Sequence, residues 1–149
     1  MNLNEYFLKQ KIKDLTIEHV IAWEIEKNGE MNTLRQYYEM KDVVYKAVMI
    51  LNGKYSEKSS YLSDVLPIID DIITSISNSS NDRKIEFIKA EVQYRGRVNT
   101  LLRFFSIKES IYDAMFTLLK HNHNDEATNL SKVLPVINHI IESVRIYSS

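Results

Sequence analysis

The chain has no cysteine, so it forms no disulfide and offers no thiol as nucleophile or metal ligand, which fits a reducing compartment. It has only two prolines and three glycines in 149 residues. A sheet protein needs such residues at nearly every hairpin, so helices are the expected elements. Neither sign of charge dominates: 19 basic and 20 acidic residues give a net charge of −1, which leaves no global pull toward nucleic acid or an acidic membrane. No apolar run approaches the ~18 residues of a membrane span, and polar side chains interrupt Met1 to Leu15 throughout. Neither a membrane helix nor a signal peptide is expected, and the expectation is a soluble, cytoplasmic protein. Three glycines cannot build a phosphate loop, a dinucleotide fingerprint or a serine elbow, and no nucleophile–base pair can be assigned. No cofactor and no enzymatic activity are expected.

What the chain does contain is written twice. Laid over Glu91 to Leu118, the segment Glu24 to Leu51 gives 9 identities in 28 positions at an offset of 67, among them Glu24/Glu91, Gly29/Gly96, Asn32/Asn99, Thr33/Thr100, Lys41/Lys108 and Ala47/Ala114. One residue is then gained, and Leu62 to Ile76 matches Leu130 to Val144 with 9 identities in 15, including Pro67/Pro135. This is an internal duplication. The expected repeats are 17–77 and 84–145, joined by the polar, breaker-rich stretch 77–82 within a single domain 1–149. The 44% apolar and 26% charged residues are ordinary globular values and argue against wholesale disorder. The two halves differ in charge, with 9 basic and 12 acidic residues in 1–74 against 10 and 8 in 75–149, a weak mutual attraction.

Helical periodicity then sets the elements. Leu3, Tyr6, Phe7 and Leu8 precede Lys9, Lys11 and Lys13, an amphipathic pattern that predicts an extra N-terminal helix outside the repeat. Thr16 can cap the next helix, whose apolar positions are Ile17, Val20, Ile21 and Ile25. The favoured reading carries this helix through Gly29 to Leu51 as one long, kinked element, and likewise through Gly96 to Leu118, with a break at the glycine as the alternative. Lys54 to Ser60 and His121 to Asp125 read as polar loops, followed by a second helix bearing Leu62 to Ile76 and its match Leu130 to Val144. Each proline then lies about one turn into its helix, where its missing N–H costs little. A helix from Ile17 to Leu51 would be roughly 50 Å long against about 25 Å for its hairpin partner. The uncovered part must be buried by the other copy or by a second subunit, so the expected fold is an all-α, pseudo-twofold bundle, with a homodimer expected.

Candidate chemistry is sparse. His121 and His123 with Asp125 and Glu126 form the obvious metal cluster, but ligands two apart in a polar loop have no helix or strand to fix them. Asp70-Asp71 and the Glu39/Asp42 pair have the spacings of acidic metal sites, which keeps a helical metal-dependent hydrolase as a second alternative. Neither pair is intact in the other repeat, and adjacent aspartates on a helix point about 100° apart. Arg95, Arg97 and Arg103 with Tyr94, Phe104 and Phe105 form a basic and aromatic stretch that a nucleic-acid-binding regulator would use for phosphate contact and base stacking.

Nine tyrosines suit surfaces that are apolar on one side and wet on the other. The leading expectation is therefore a small, non-enzymatic regulator or inhibitor that binds another protein through a helical face, with Tyr37, Tyr38, Tyr94, Arg95, Arg97 and Arg103 as its interaction surface. Glu24, Lys41, Glu91 and Lys108 are polar on otherwise apolar faces. If the two long helices crossed antiparallel, Glu24 would meet Lys108 and Lys41 would meet Glu91, since both pairs sum to 132, as two structural ion pairs flanking the crossing.

Overall fold

A computed structural model describes residues 16–77 and 86–147; the predicted N-terminal helix and most of the linker between the repeats lie outside them. The described residues are all-helical, without a strand. In chain order they form α1 (Ile17–Asn28), α2 (Glu30–Asn52), α3 (Ser56–Ser63), α4 (Val65–Ser77), α5 (Glu86–Arg95), α6 (Arg97–Lys120), α7 (Asn124–Ser131) and α8 (Leu134–Ile146).

Thr16 starts α1 as expected: its Oγ1 accepts the backbone N–H of His19 at 3.3 Å, satisfying one orphan donor of the first turn. The expected continuous long helix does not form. The chain breaks at Gly29 (φ 85°, ψ 160°) and again at Gly96 (φ 81°, ψ 158°), a backbone region that essentially only glycine occupies. Nothing lies within 4 Å of a Cβ built at either position, so the requirement is conformational, not spatial. The residues that follow secure the break. Thr33 and Thr100, both buried, donate Oγ1 to the carbonyls of Gly29 and Gly96 at 2.8 Å. Asn32 and Asn99 donate Nδ2 to the carbonyls of Asn28 and Arg95 at 2.9 and 3.0 Å, which ends α1 and α5 with their last carbonyls satisfied.

A second departure concerns the polar loops, most of which are helix. Pro67 and Pro135 explain where these short helices stop, because neither can donate to the carbonyl four residues earlier. Those carbonyls belong to Ser63 and Ser131, the last residues of α3 and α7. The chain then restarts as α4 and α8, with Pro135 in the first turn of α8. The residue gained in the second repeat is absorbed at the end of α6, where Asn122 takes a left-handed conformation (φ 66°) that asparagine tolerates.

The core is built mainly from α4 and α8. Ile68, Ile69, Ile72, Ile73 and Ile76 of α4, with Val136, Ile137, Ile140 and Val144 of α8, are buried against Tyr37, Val44 and Leu51 of α2 and Phe104, Ile111 and Leu118 of α6. β-Branched residues are mediocre helix formers, but burying each side chain contributes about 1.5–3 kcal/mol, which outweighs a propensity cost of a few tenths. Ala47 and Ala114, fully buried, keep α2 and α6 close to their neighbours. Helix α2 packs on α1, α3 and α4 and also on α7, while α6 packs on α5, α7 and α8 and also on α3; α2 and α6 touch each other.

The break also resolves the length mismatch. At 23 residues, α2 is about 35 Å long, close to α3 and α4 laid end to end. Freed from that axis, α1 packs on α8. Its first N–H, at Ile17, is accepted by the buried Oγ of Ser143 at 3.0 Å, and the Ser143 hydroxyl also lies 2.8 Å from Oε2 of Glu18.

The three glycines provide their own control. Gly29→Ala and Gly96→Ala should each destabilise by about 1–3 kcal/mol through backbone strain. Gly53, at φ −68°, should accept alanine with no loss and a gain of up to ~1 kcal/mol. Equal denaturation midpoints for all three variants would rule out the junction as the source of the break.

Candidate interaction surface

Helix α6 carries two apolar faces. Phe104, Ile107, Ile111, Ala114 and Leu118 point into the core. On the opposite side Val98, Leu102, Phe105, Tyr112, Phe116 and Leu119 are spaced four, three, seven, four and three residues apart, the repeat of a helix that meets another helix. All six are exposed, from 43% at Tyr112 to 69% at Phe116, and only Glu109 interrupts the series. Helix α2 has a weaker version in Met31, Tyr38, Tyr45 and Met49, with Arg35 and Asp42 at the intervening positions. Covering the part of the α6 stripe still open to water would be worth roughly 5–9 kcal/mol. Association itself costs about 4–15 kcal/mol, so only a partner lying along most of the helix would bind. This stripe is the main surface that sequence reasoning missed. The signal is present in the sequence: separating the series 98, 102, 105 from 100, 104, 107 identifies it.

The residues expected at the interaction surface divide. Tyr37 is a correction: at 1% exposure it belongs to the core. Tyr38 and Tyr94 are exposed, Tyr94 at 85%. The arginines do not form a row of free cations. Glu91 takes Arg95 Nε at 2.9 Å and Arg103 Nη1 at 3.1 Å, and Arg103 lies 5.4 Å from the ring of Phe104. Arg97 is exposed and reaches the carbonyl of Arg145 at 3.5 Å. Phe104 is fully buried, so of the aromatics in this stretch only Tyr94 and Phe105 have a face for a ligand.

The crossing pairs Glu24–Lys108 and Lys41–Glu91 do not form within the chain, because the break at Gly29 takes α1 off the axis of α2 and the constant-sum register is lost. Lys41 instead meets Asp70 at 2.7 Å, and Lys108 is half-buried. Glu24 is buried, with Oε1 accepting the Tyr37 hydroxyl at 3.1 Å and Oε2 lacking a hydrogen-bond partner. The second repeat has Phe104 where the first has Tyr37, and there Arg95 and Arg103 take over the role of the missing hydroxyl for Glu91. Burial pushes the Glu24 carboxyl up from its ordinary value, with the Tyr37 hydrogen bond pulling part of the way back. Burial, and then the Glu24 charge, holds the Tyr37 phenol well above its ordinary value.

At the far end of α2 and α6, the Tyr55 hydroxyl lies 2.5 Å from Nε2 of His121. Lys58 Nζ is 3.1 Å from Asp113 Oδ1 and 3.0 Å from the buried Thr117 hydroxyl. These side chains border two adjoining clefts of about 200 Å³ each, the first also lined by Lys54 and His123 and floored by Ile50, Leu51 and Leu118. Among the described residues, no three of His, Asp and Glu are grouped to hold a metal ion. Asp70 is held by Lys41, and burial raises the carboxyl of Asp71, with the charges of Asp70 and Glu91 adding to it.

Two variants check the Glu24–Tyr37 pair. Tyr37→Phe should cost about 1–3 kcal/mol at neutral pH by stranding a buried carboxylate. A raised folded-state pKa means that the folded chain binds the Glu24 proton more tightly than the unfolded chain. The stabilising contribution is therefore complete below the unfolded value of about 4.3 and lost as pH rises through the folded one. Glu24→Gln should remove this dependence, so its stability relative to the parent should improve between pH 4 and pH 7; a constant difference across that range would refute the assignment. Compared with protein-family models, with curated proteins and with solved structures, the chain matches none.

Proposed function

We propose that this chain is a small, non-enzymatic regulator or inhibitor that binds a partner protein along the outer face of α6. The observation that carries the reading is the exposed stripe Val98, Leu102, Phe105, Tyr112, Phe116 and Leu119. Large apolar side chains repeated at helix-packing intervals, on a helix already satisfied on its other side, are left uncovered by the described residues, and such a patch is characteristic of interaction sites. Its recognition mode is a helical segment laid along a helical face, anchored by aromatic side chains.

The scaffold behind it we read as a duplicated hairpin unit arranged about a pseudo-twofold axis. Three observations support this: the same backbone angles at Gly29 and Gly96, the same Asn and Thr hydrogen bonds after each, and the reciprocal packing of α3 on α6 and α7 on α2. Such a scaffold holds α6 straight and rigid by packing on its inner side, so little ordering remains to be done when a partner arrives.

Affinity capture with the purified chain as bait, followed by identification of what it retains, tests the reading. Phe105→Glu and Phe116→Glu should each weaken a captured partner by about 30-fold or more, the loss of one anchor worth at least ~2 kcal/mol. Circular dichroism should be unchanged, because both side chains already face water. Tyr61→Glu, exposed on α3, should bind as the parent does. A retained set that is empty, or that ignores both α6 variants, would rule the proposal out.

A further inference from the structure

Glu109 interrupts the apolar stripe of α6 close to its middle, for the series runs from Val98 to Leu119, about 32 Å of helix. A carboxylate there opposes a purely apolar partner, because covering it without a cation or a donor is costly. Its chain neighbour Lys108 lies on the flank of the same stripe and is half-buried. Neither side chain meets an opposite charge among the described residues. They cannot meet each other either, since residues one apart on a helix point about 100° apart. Arg103 and Asp113 are already held, by Glu91 and by Lys58. An unpaired cation and an unpaired anion are thus left adjacent at the midpoint of the stripe.

An antiparallel second copy of the same helix answers both. With a twofold axis passing beside residues 108 and 109, opposed positions have a constant sum of 217, and each Lys108 comes level with Glu109 of the second copy. The two Glu109 carboxylates approach each other at the axis, and the two ammonium groups offset their repulsion. The apolar side chains fit the same register: Val98 faces Leu119, Leu102 faces Phe116 and Phe105 faces Tyr112. Each smaller residue then meets a larger one, and the central pair is aromatic. A parallel copy would set Phe116 on Phe116 and Val98 on Val98, leaving bulk at one end and a gap at the other. It would also align the helix dipoles unfavourably. A second copy brings an identical stripe, so one association covers that apolar surface twice over. At the ends Arg97 and Lys120 come level, but both are exposed, where water and salt screen them.

We propose that the outer face of α6 is covered by the same face of a second copy, packed antiparallel about a twofold axis at Lys108 and Glu109. This rests on the reading of that face as an interaction surface and names its occupant when the chain is alone in solution. Sedimentation equilibrium of the full chain tests it. The parent should be a dimer, and Phe105→Glu and Phe116→Glu should be monomers with unchanged circular dichroism. Lys108→Glu and Glu109→Lys each place four like charges at the axis and should each weaken the dimer about tenfold or more. Combining the two restores both opposed pairs and should recover most of the loss, although the side chains cannot pair within one chain. Charge changes whose effects simply add, or a dimer that survives both phenylalanine variants, would overturn the antiparallel contact. A parent that stays monomeric at its highest soluble concentration would overturn the second copy as occupant; loss of a captured protein in the same phenylalanine variants would then leave the surface reading standing. Phenylalanine variants that alter neither mass nor capture would remove both.

Discussion

The backbone angles at Gly29 and Gly96 are the constraint on which the remaining geometry depends. A single helix from Ile17 to Leu51 would overrun its hairpin partner by some 20 Å or more, leaving Ile17, Val20 and Ile21 with nothing to cover them. A φ near +80° with an extended ψ lets the chain leave one helix and start the next without a connecting loop. Such a joint is compact but conformationally costly for any residue with a Cβ. Asn32, Thr33, Asn99 and Thr100 then return the hydrogen bonds that two helix ends would otherwise lose. Only with this joint can α1 reach α8 and Ile17 find the hydroxyl of Ser143.

Each half also holds a glutamate beside its joint, Glu24 buried and Glu91 partly buried, and the two solutions differ in kind. Glu24 is matched with a neutral donor, the Tyr37 hydroxyl, and carries a raised pKa as the mark of incomplete compensation. Glu91 is met by two arginines instead. A partly buried charge is still costly unless it is paired and hydrogen-bonded, and with phenylalanine at residue 104 in place of tyrosine the partner of Glu91 is a cation. Arg103, standing where the first half has Gln36, supplies it. The basic stretch that suggests nucleic-acid binding in the sequence is thereby given a structural task in two of its three arginines.

The helical class, the position of the core and the Thr16 cap were legible in the sequence, because apolar periodicity and capping chemistry are local. A break at Gly29 is the alternative to a continuous helix in the sequence, but apolar periodicity runs across it, and periodicity cannot register a change of axis between two helices in phase. The short helices α3 and α7 were hidden for another reason. Their sequences, SEKSSYLS and NDEATNLS, are polar and bury little, with Ser59 and Leu62 inward in one and Ala127 and Leu130 in the other. They are helical because tertiary packing against α6 and α2 holds them, which propensity alone does not report. The surface residues were read with least success. Tyr37 and Tyr38 are adjacent and chemically identical, yet one is core and the other solvent-facing, since a 100° step on a helix is enough to separate them.

Comparing the halves also separates two kinds of residue without reference to any other protein. Gly29/Gly96, Thr33/Thr100 and Ala47/Ala114 are identical in both repeats, and all of them lie at joints or in the interior. At the outer face of α6 the match is partial: Leu102 and Leu119 stand where the first repeat has Arg35 and Asn52, while Tyr112 and Phe116 correspond to Tyr45 and Met49. If apolar residues there served the fold, the outer face of α2 would need them equally, because both helices are held from within by the same kinds of contact. The two additional leucines on α6 are therefore not accounted for by packing among the described residues. Solvent exposure of six large side chains is unfavourable for solubility, a cost that a partner laid along α6, as proposed above, would relieve.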